Sequence, residues 1–259
     1  MKVALTIAGS DPTGGAGLQL DLQVFRALGL HGAAVPTALT VQDTAKVHRV
    51  LPAFPSVVLD QLRVLLADVT PAVVKIGMLA TDDVARNVAL ALSGLDESVP
   101  WVLDPVLAAS DGTPLLERRA WDTLHALLPR ATLLLPNRPE AEALTGEDTS
   151  RDAGAERAAA ALLERGARAV LLKGGHREGA PRDLLAVPDG DGVRLTWLEG
   201  ERVEGGPVHG TGCALASAIA AGLAHGRDLE TAVAEGRAFV ARALARAERV
   251  GSGARLLVF

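Results

Sequence analysis

The sequence predicts an α/β fold with a mostly parallel central sheet covered on both faces, and three observations carry that prediction. Short, nearly continuous apolar runs recur along the chain, longer amphipathic stretches separate them, and one extended pair around the turn PDGDG interrupts the rhythm late. Apolar runs without alternation belong to strands buried on both faces, and the helices between them supply the crossovers that parallel pairing needs.

The elements follow in order. Val3–Ile7 is the first strand: it is too short for the apolar stretch of a leader and runs into a Gly/Asp/Pro turn. A glycine-rich loop within GSDPTGGAGLQLDLQ, residues 9–23, then opens a helix over Leu18–Leu28, followed by a strand over Ala33–Ala38. The alternation continues with a helix over Ser56–Ala67, a strand over Val73–Ile76, a helix over Asp82–Leu92 and a strand over Trp101–Leu103. A helix over Leu115–Leu127, a strand over Leu133–Leu135, a helix opening at Asn137, a helix over Asp152–Arg165 and a strand over Val170–Leu172 come next. Residues 183–204 read as a hairpin, and from Gly212 the chain is helical in two pieces, Cys213–Ala224 and Leu229–Arg249. With no linker, repeat or low-complexity tract, one domain over residues 1–259 is expected.

Composition excludes several classes. A net charge of −5 lacks the basic balance of a nucleic-acid binder, and no apolar run is long enough to cross a membrane. The single cysteine rules out an intramolecular disulfide and fits a reducing, cytoplasmic setting. The six histidines show no metal-ligand spacing, so no zinc site is expected, and no Ser-His-Asp triad is indicated.

Ligands of such sheets bind beyond the carboxyl ends of the strands. Ser10, Asp11, Gln42, Asp43, Lys75, Asp104, Asn137 and Lys173 lie at those ends. The strongest local signal is HGTGC, His209 to Cys213, where a glycine turn becomes an alanine-rich helix. Gly210 and Gly212 let several N–H groups converge, and the helix start adds unpaired N–H groups and a positive dipole end, which together suit a phosphoryl group in transit. That position is expected to lower the thiol pKa of Cys213, which then takes a proton from an attacking hydroxyl; a small buried residue without chemistry is the competing reading.

The glycine loop of residues 9–17 is neither a Walker loop nor a dinucleotide fingerprint, and Asp21 beyond it is explained by the helix dipole alone. Asn137 and Glu140 form the pattern of a capping box and, with Asp104, equally suit Mg²⁺ beside nucleotide phosphates. Lys173 either reaches a phosphate or snorkels to solvent; Lys75 carries the same two readings, and Met78 is by default a core residue.

Taken together, AGSDPTGGAGLQLDL, TALTVQDT, KIGMLA, LDPV, LLPNRPEAEALTG, KGGH and HGTGC occur in one order across nearly the whole chain. This series resembles the bacterial hydroxymethylpyrimidine/phosphomethylpyrimidine kinases of thiamine biosynthesis, within the ribokinase-like fold. The resemblance implies a three-layer α/β/α sandwich. It also implies two successive phosphorylations of 4-amino-5-hydroxymethyl-2-methylpyrimidine, to the monophosphate and then the diphosphate, with Mg²⁺ and ATP, and a homodimer.

Carried over by that resemblance, Cys213 is the base, and Gly210, Thr211 and Gly212 form the anion hole. Asp21 and Gln42 hold the aminopyrimidine, Met78 packs on its ring and Gly9 backs it. Asn137 and Lys173, with Thr211, serve the ATP phosphates, while Asp104 and Glu140 serve Mg²⁺. The chain departs from the family pattern at Gln42-Asp43-Thr44-Ala45-Lys46, where Gln-Asn-Thr-x-Gly is common, at Ala108-Ala109-Ser110 after LDPV, and in its ending GSGARLLVF. Two other readings stand beside this one: a pyridoxal kinase of vitamin B6 salvage on the same scaffold, and a non-catalytic pyrimidine sensor.

Overall fold

In the computed structural model, which describes residues 1–175 and 181–259, nine strands form one sheet in the order β3-β2-β1-β4-β5-β6-β7-β8-β9. They are β1 (Val3–Ser10), β2 (His31–Gln42), β3 (Val47–Pro52), β4 (Val73–Ile76), β5 (Trp101–Leu103), β6 (Leu133–Leu134), β7 (Val170–Leu172), β8 (Arg182–Asp189) and β9 (Gly192–Glu199). The run from β2 through β1, β4, β5 and β6 to β7 is parallel. Antiparallel partners finish each side: β3 beside β2, and the β8–β9 hairpin beside β7.

The parallel strands are buried on both faces, and alternate residues feed two separate cores. Leu5, Ile7, Val74, Ile76, Leu103 and Leu134 point into one. Over that face lie α2 (Pro55–Asp68), α3 (Asp82–Leu92), α4 (Trp121–Leu127), α5 (Arg138–Thr145) and α6 (Asp152–Glu164). Ala4, Val73, Val102, Leu133 and Leu171 point the other way, toward α1 (Gly17–Ala27), α7 (Thr211–Ala224) and α8 (Leu229–Ala245). Helices on both sides of one sheet give the expected three layers. The small-residue stripe of α7 is used for close packing: a Cβ at Gly222 or Gly236 would press on Ala232 or Ile219 across the α7–α8 contact.

Most expected elements are present to within a residue or two. Three are shorter: the helix expected from Leu115 starts as a 3₁₀ turn at Arg118 because Leu116 bridges to Ala80, α8 stops at Ala245, ahead of Arg249, and the hairpin stops at Glu199, ahead of Glu204. The segment after Gln42 forms a strand, β3, antiparallel to β2. The hairpin likewise extends the sheet. A further parallel pair, β10 (Val208–His209) with β11 (Arg255–Leu256), ties the C-terminal tail to the start of the HGTGC turn. His176 of the KGGH run lies outside the described residues.

Candidate active site

The carboxyl ends of β1, β4, β5, β6 and β7 lie side by side, and the ladder carries on just past them. Gly77 N–H donates to the Ile7 carbonyl, Asp104 N–H to Ile76, and Lys173 N–H to Pro136, each at 2.8–2.9 Å. Asp104, Asn137 and Lys173 therefore stand in a row by register alone. The Lys173 ammonium meets Asp104 Oδ1 at 2.6 Å, with the lysine side chain 14% exposed. Burial opposes the charge on Lys173, but Asp104 and then Glu140 outweigh it and hold the ammonium above the ordinary lysine value.

The HGTGC turn comes down over that pair. Gly210 has φ +76 and is the last residue before α7; a Cβ there would strike the Gly15 carbonyl, so both conformation and space require glycine. Gly212 has another reason. It lies in the first turn of α7, where a Cβ would come within 3.3 Å of Lys173 Nζ and 3.8 Å of Asp104 Oδ2. Its missing side chain lets the start of α7, from Thr211, approach the Lys173–Asp104 pair closely. A helix of 14 residues brings its positive end there.

Asn137 and Glu140 form the capping box of α5: Glu140 N–H donates to Asn137 Oδ1 at 2.8 Å, and Asn137 N–H donates to Glu140 Oε2 at 2.7 Å. Glu140 is nonetheless part of the polar row. Burial pushes its carboxyl up to about 7; Lys173 pulls it down, Asp104 pushes it up, and the Asn137 and Leu107 N–H groups pull it down. A buried carboxyl facing another carboxylate, with one ammonium between them, is a donor set that a hard divalent cation fits. Among the described residues no cluster of three or more His, Cys, Asp or Glu forms a ready-made cage, so such a cation would take its remaining ligands from phosphates and water.

Cys213 is partly exposed and is the third residue of α7, in its first turn. Contrary to expectation, its thiol is held above its ordinary value. Burial is the largest influence; Lys75 works against it, Asp21 and Asp104 add to it, and the Gly17 N–H, donating toward sulfur, relieves it in part. The helix start alone therefore does not decide the thiol's state.

Asp21 is another correction. It is fully buried and does not face the cleft: Thr6 Oγ1 and Lys75 Nζ donate to Oδ2 at 2.6 and 2.8 Å, and Ser217 Oγ donates to Oδ1 at 2.7 Å. Its carboxylate is sealed beneath the site, so the pyrimidine contact assigned to it has no exposed acceptor there. Lys75, for its part, neither snorkels nor reaches a phosphate, because it is a sealed residue of β4.

The remaining candidates fall in two places. Met78 lies against Gly9, where a Cβ would come within 2.8 Å of its sulfur, and the Met78 carbonyl accepts from Thr37 Oγ1. Gln42 at the end of β2 has its amide nitrogen 3.2 Å from His209 Nε2, which is 2.9 Å from Asp11 Oδ2. Burial opposes ionisation of Asp11, but His209 and the Thr13 N–H and hydroxyl outweigh it and leave its pKa low. The His209 bridge between the N-terminal glycine loop and HGTGC was missed; a histidine opening a glycine turn was its one sequence signal. The tail was missed too. Gly253 N–H donates to Thr44 Oγ1 and Ala254 N–H to the Thr44 carbonyl, fastening the divergent ending to the divergent turn after Gln42.

Residues 11–257 match the family model described as phosphomethylpyrimidine kinase. A hydroxymethylpyrimidine/phosphomethylpyrimidine kinase of Streptomyces coelicolor is 40% identical over 252 residues, covering 97% of this chain and 91% of the relative. The crystal structure of a phosphomethylpyrimidine kinase from Clostridium difficile superposes with a TM-score of 0.79 at 32% identity, covering 94% of this chain and 100% of that one. A Staphylococcus aureus pyridoxal kinase in complex with AMP-PCP and pyridoxal superposes with a TM-score of 0.87 at 30% identity, covering 99% and 93%.

Proposed function

The chain belongs to the phosphomethylpyrimidine kinase family, and from that premise we propose how its residues work. It is a phosphotransferase of thiamine biosynthesis that uses ATP to phosphorylate 4-amino-5-hydroxymethyl-2-methylpyrimidine, then phosphorylates the monophosphate to the diphosphate, within one domain spanning residues 1–259. The observation that carries the reading is the HGTGC turn lying against the Lys173–Asp104 pair, where the bare backbone of Gly212 lets the start of α7 come close to the ammonium.

In the first step the substrate hydroxyl oxygen bonds to the γ-phosphorus, the bond from that phosphorus to the β–γ bridging oxygen breaks, and the hydroxyl proton passes to the Cys213 thiolate. Gly210, Thr211 and Gly212 present N–H groups to the transferring oxygens, and Lys173 and Asn137 hold the nucleotide phosphates. Gln42 holds the aminopyrimidine, and Met78 and Gly9 form the wall against its ring. Asp104 and Glu140 would hold Mg²⁺, which when bound neutralises phosphate charge. The second acceptor is already an ionised phosphate and needs no base.

Because the thiol sits above its ordinary value, its ionisation adds rate to the first step as pH rises and adds none to the second. Mass spectrometry of products from Mg·ATP with hydroxymethylpyrimidine, and separately with pyridoxal, tests the reading. A pyrimidine monophosphate that goes on to the diphosphate supports it. Pyridoxal phosphate with no pyrimidine diphosphate moves the assignment to the second reading, which the likeness to the pyridoxal kinase keeps in view.

Among the described residues no helix is long and apolar enough to cross a membrane, and work in the cytoplasm as a homodimer is part of the proposal. Exposed Leu39 and Val41 share one face of β2 with the cross-strand partner Leu51, and Phe54, Val57 and Val64 are exposed at and along α2, which supports a covered surface. Light scattering at working concentration decides between monomer and dimer.

A further inference from the structure

We propose that Lys75 and Asp21 are positioning residues for the first phosphoryl transfer: a sealed pair that fixes a positive charge beneath the cleft and ties down the helix carrying Cys213. This rests on the reading of Cys213 as the base.

Packing does not account for the pair. Both side chains are 0% exposed, 2.8 Å apart, and β4 is otherwise wholly apolar, so an aliphatic residue at position 75 would continue the strand's pattern. Buried ion pairs are weak stabilisers compared with apolar residues of the same volume. The geometry instead points at the reaction. Ser217, one helical turn beyond Cys213 on α7, donates to Asp21 Oδ1 at 2.7 Å, so the carboxylate grips α7 just below the cysteine. The ammonium curls toward the carboxyl end of β4: a Cβ at Gly77 would come within 2.8 Å of Lys75 Nζ. Glycine at position 77 leaves the room in which the charge sits. Thr6 of β1 closes the network by donating to Asp21 Oδ2 at 2.6 Å.

The groups that face the thiol come from every wall of the site: Lys75 from β4, Asp21 and the Gly17 N–H from α1, Asp104 after β5 and Lys173 after β7. Burial raises the thiol, and Lys75 is the leading influence that favours the thiolate. Lys75 keeps its own proton throughout; the proton that moves is the one leaving the substrate hydroxyl for sulfur.

Cys213 is the only cysteine in the chain, so the rate of iodoacetamide alkylation against pH reads the thiolate fraction at this site alone. The profile is measured for the wild type, Lys75→Met and the double variant Lys75→Met/Asp21→Asn, each checked by thermal melting. The alkylation midpoint is expected to rise by about one pH unit or more in Lys75→Met. It rises less, in the same direction, in the double variant, where Asp21's opposing charge is gone too. The pH profile of the first phosphorylation, but not of the second, moves with it.

A midpoint that stays within about 0.2 units of wild type in a folded variant makes the pair structural only and overturns the proposal. Should Lys75→Met fail to fold, the double variant decides, since it buries no unpaired charge. Failure of the base reading shows separately, as a Cys213→Ala enzyme that keeps its first phosphorylation.

Discussion

Two lysines at one edge of the sheet have aspartate partners at nearly the same distance, 2.8 Å for Lys75–Asp21 and 2.6 Å for Lys173–Asp104. The first pair is 0% exposed on both sides; in the second the lysine is 14% and the aspartate 3% exposed. Lys75 lies within β4 with α1 and α7 sealed over it, whereas Lys173 follows β7, with only the bare backbone of Gly212 above. The difference separates two uses of one ion pair. A sealed lysine has no path to a new partner and acts as a fixed charge and a tether. A lysine at an opening can trade its carboxylate for a phosphate when a nucleotide arrives.

Substitutions break or sharpen that contrast, and the largest effect is expected at the thiol facing both pairs. Cys213→Ala slows the first phosphorylation by ~10²–10⁴-fold, the usual worth of a general base, and leaves the second within a few-fold. Equal losses in both steps would transfer the cysteine's role to the anion hole. Next comes the sealed pair: Lys75→Met strands the Asp21 carboxylate and costs about 3–5 kcal/mol in chemical denaturation, most of it recovered by adding Asp21→Asn. A wild-type denaturation curve for Lys75→Met would mean that water reaches the site and that the two pairs are not different in kind.

Lys173→Gln should show the opposite balance, with both phosphorylations slower by ~10²–10³-fold and a smaller loss of stability than Lys75→Met, because its ammonium lies at the opening while Asp104 is left without its partner. Steady-state rates for each acceptor, with melting temperatures alongside, check this.

The smallest effect concerns Glu140, held up to about 7 by burial first. A carboxyl whose folded value is raised adds stability while protonated, and that contribution is lost as pH rises from its unfolded value through about 7. Glu140→Gln, neutral throughout, should therefore gain on wild type in melting temperature between about pH 5 and about pH 8. A pH-independent difference would mean that Glu140 is charged in the folded protein at all these values.

Much of the site was legible because its members end strands or start helices. Asn137 and Glu140 announce their capping box by spacing, and Gly210 its turn, since these geometries close within a few residues. Asp104 and Lys173 are polar residues directly after apolar runs, and parallel register alone places them together. Asp21 was misread because its partners, Thr6, Lys75 and Ser217, lie 15, 54 and 196 positions away, and nothing in the helix GLQLDLQ tells a carboxylate aimed at a ligand from one aimed into the core. Lys75 did carry a signal: a lysine inside a strand too apolar to reach water needs a buried counter-charge.

By itself the sequence determined the layered α/β architecture, the strand ends that carry polar groups and the glycine turn leading into α7. Those features are set by local hydrophobic period and by backbone conformations that few residues adopt. The tertiary structure alone decided which of two similar lysines is sealed, which aspartate leaves the substrate side, and that the Cys213 thiol is raised rather than lowered. Each is a balance of desolvation against charges contributed by several elements, and that balance exists only once the elements have packed.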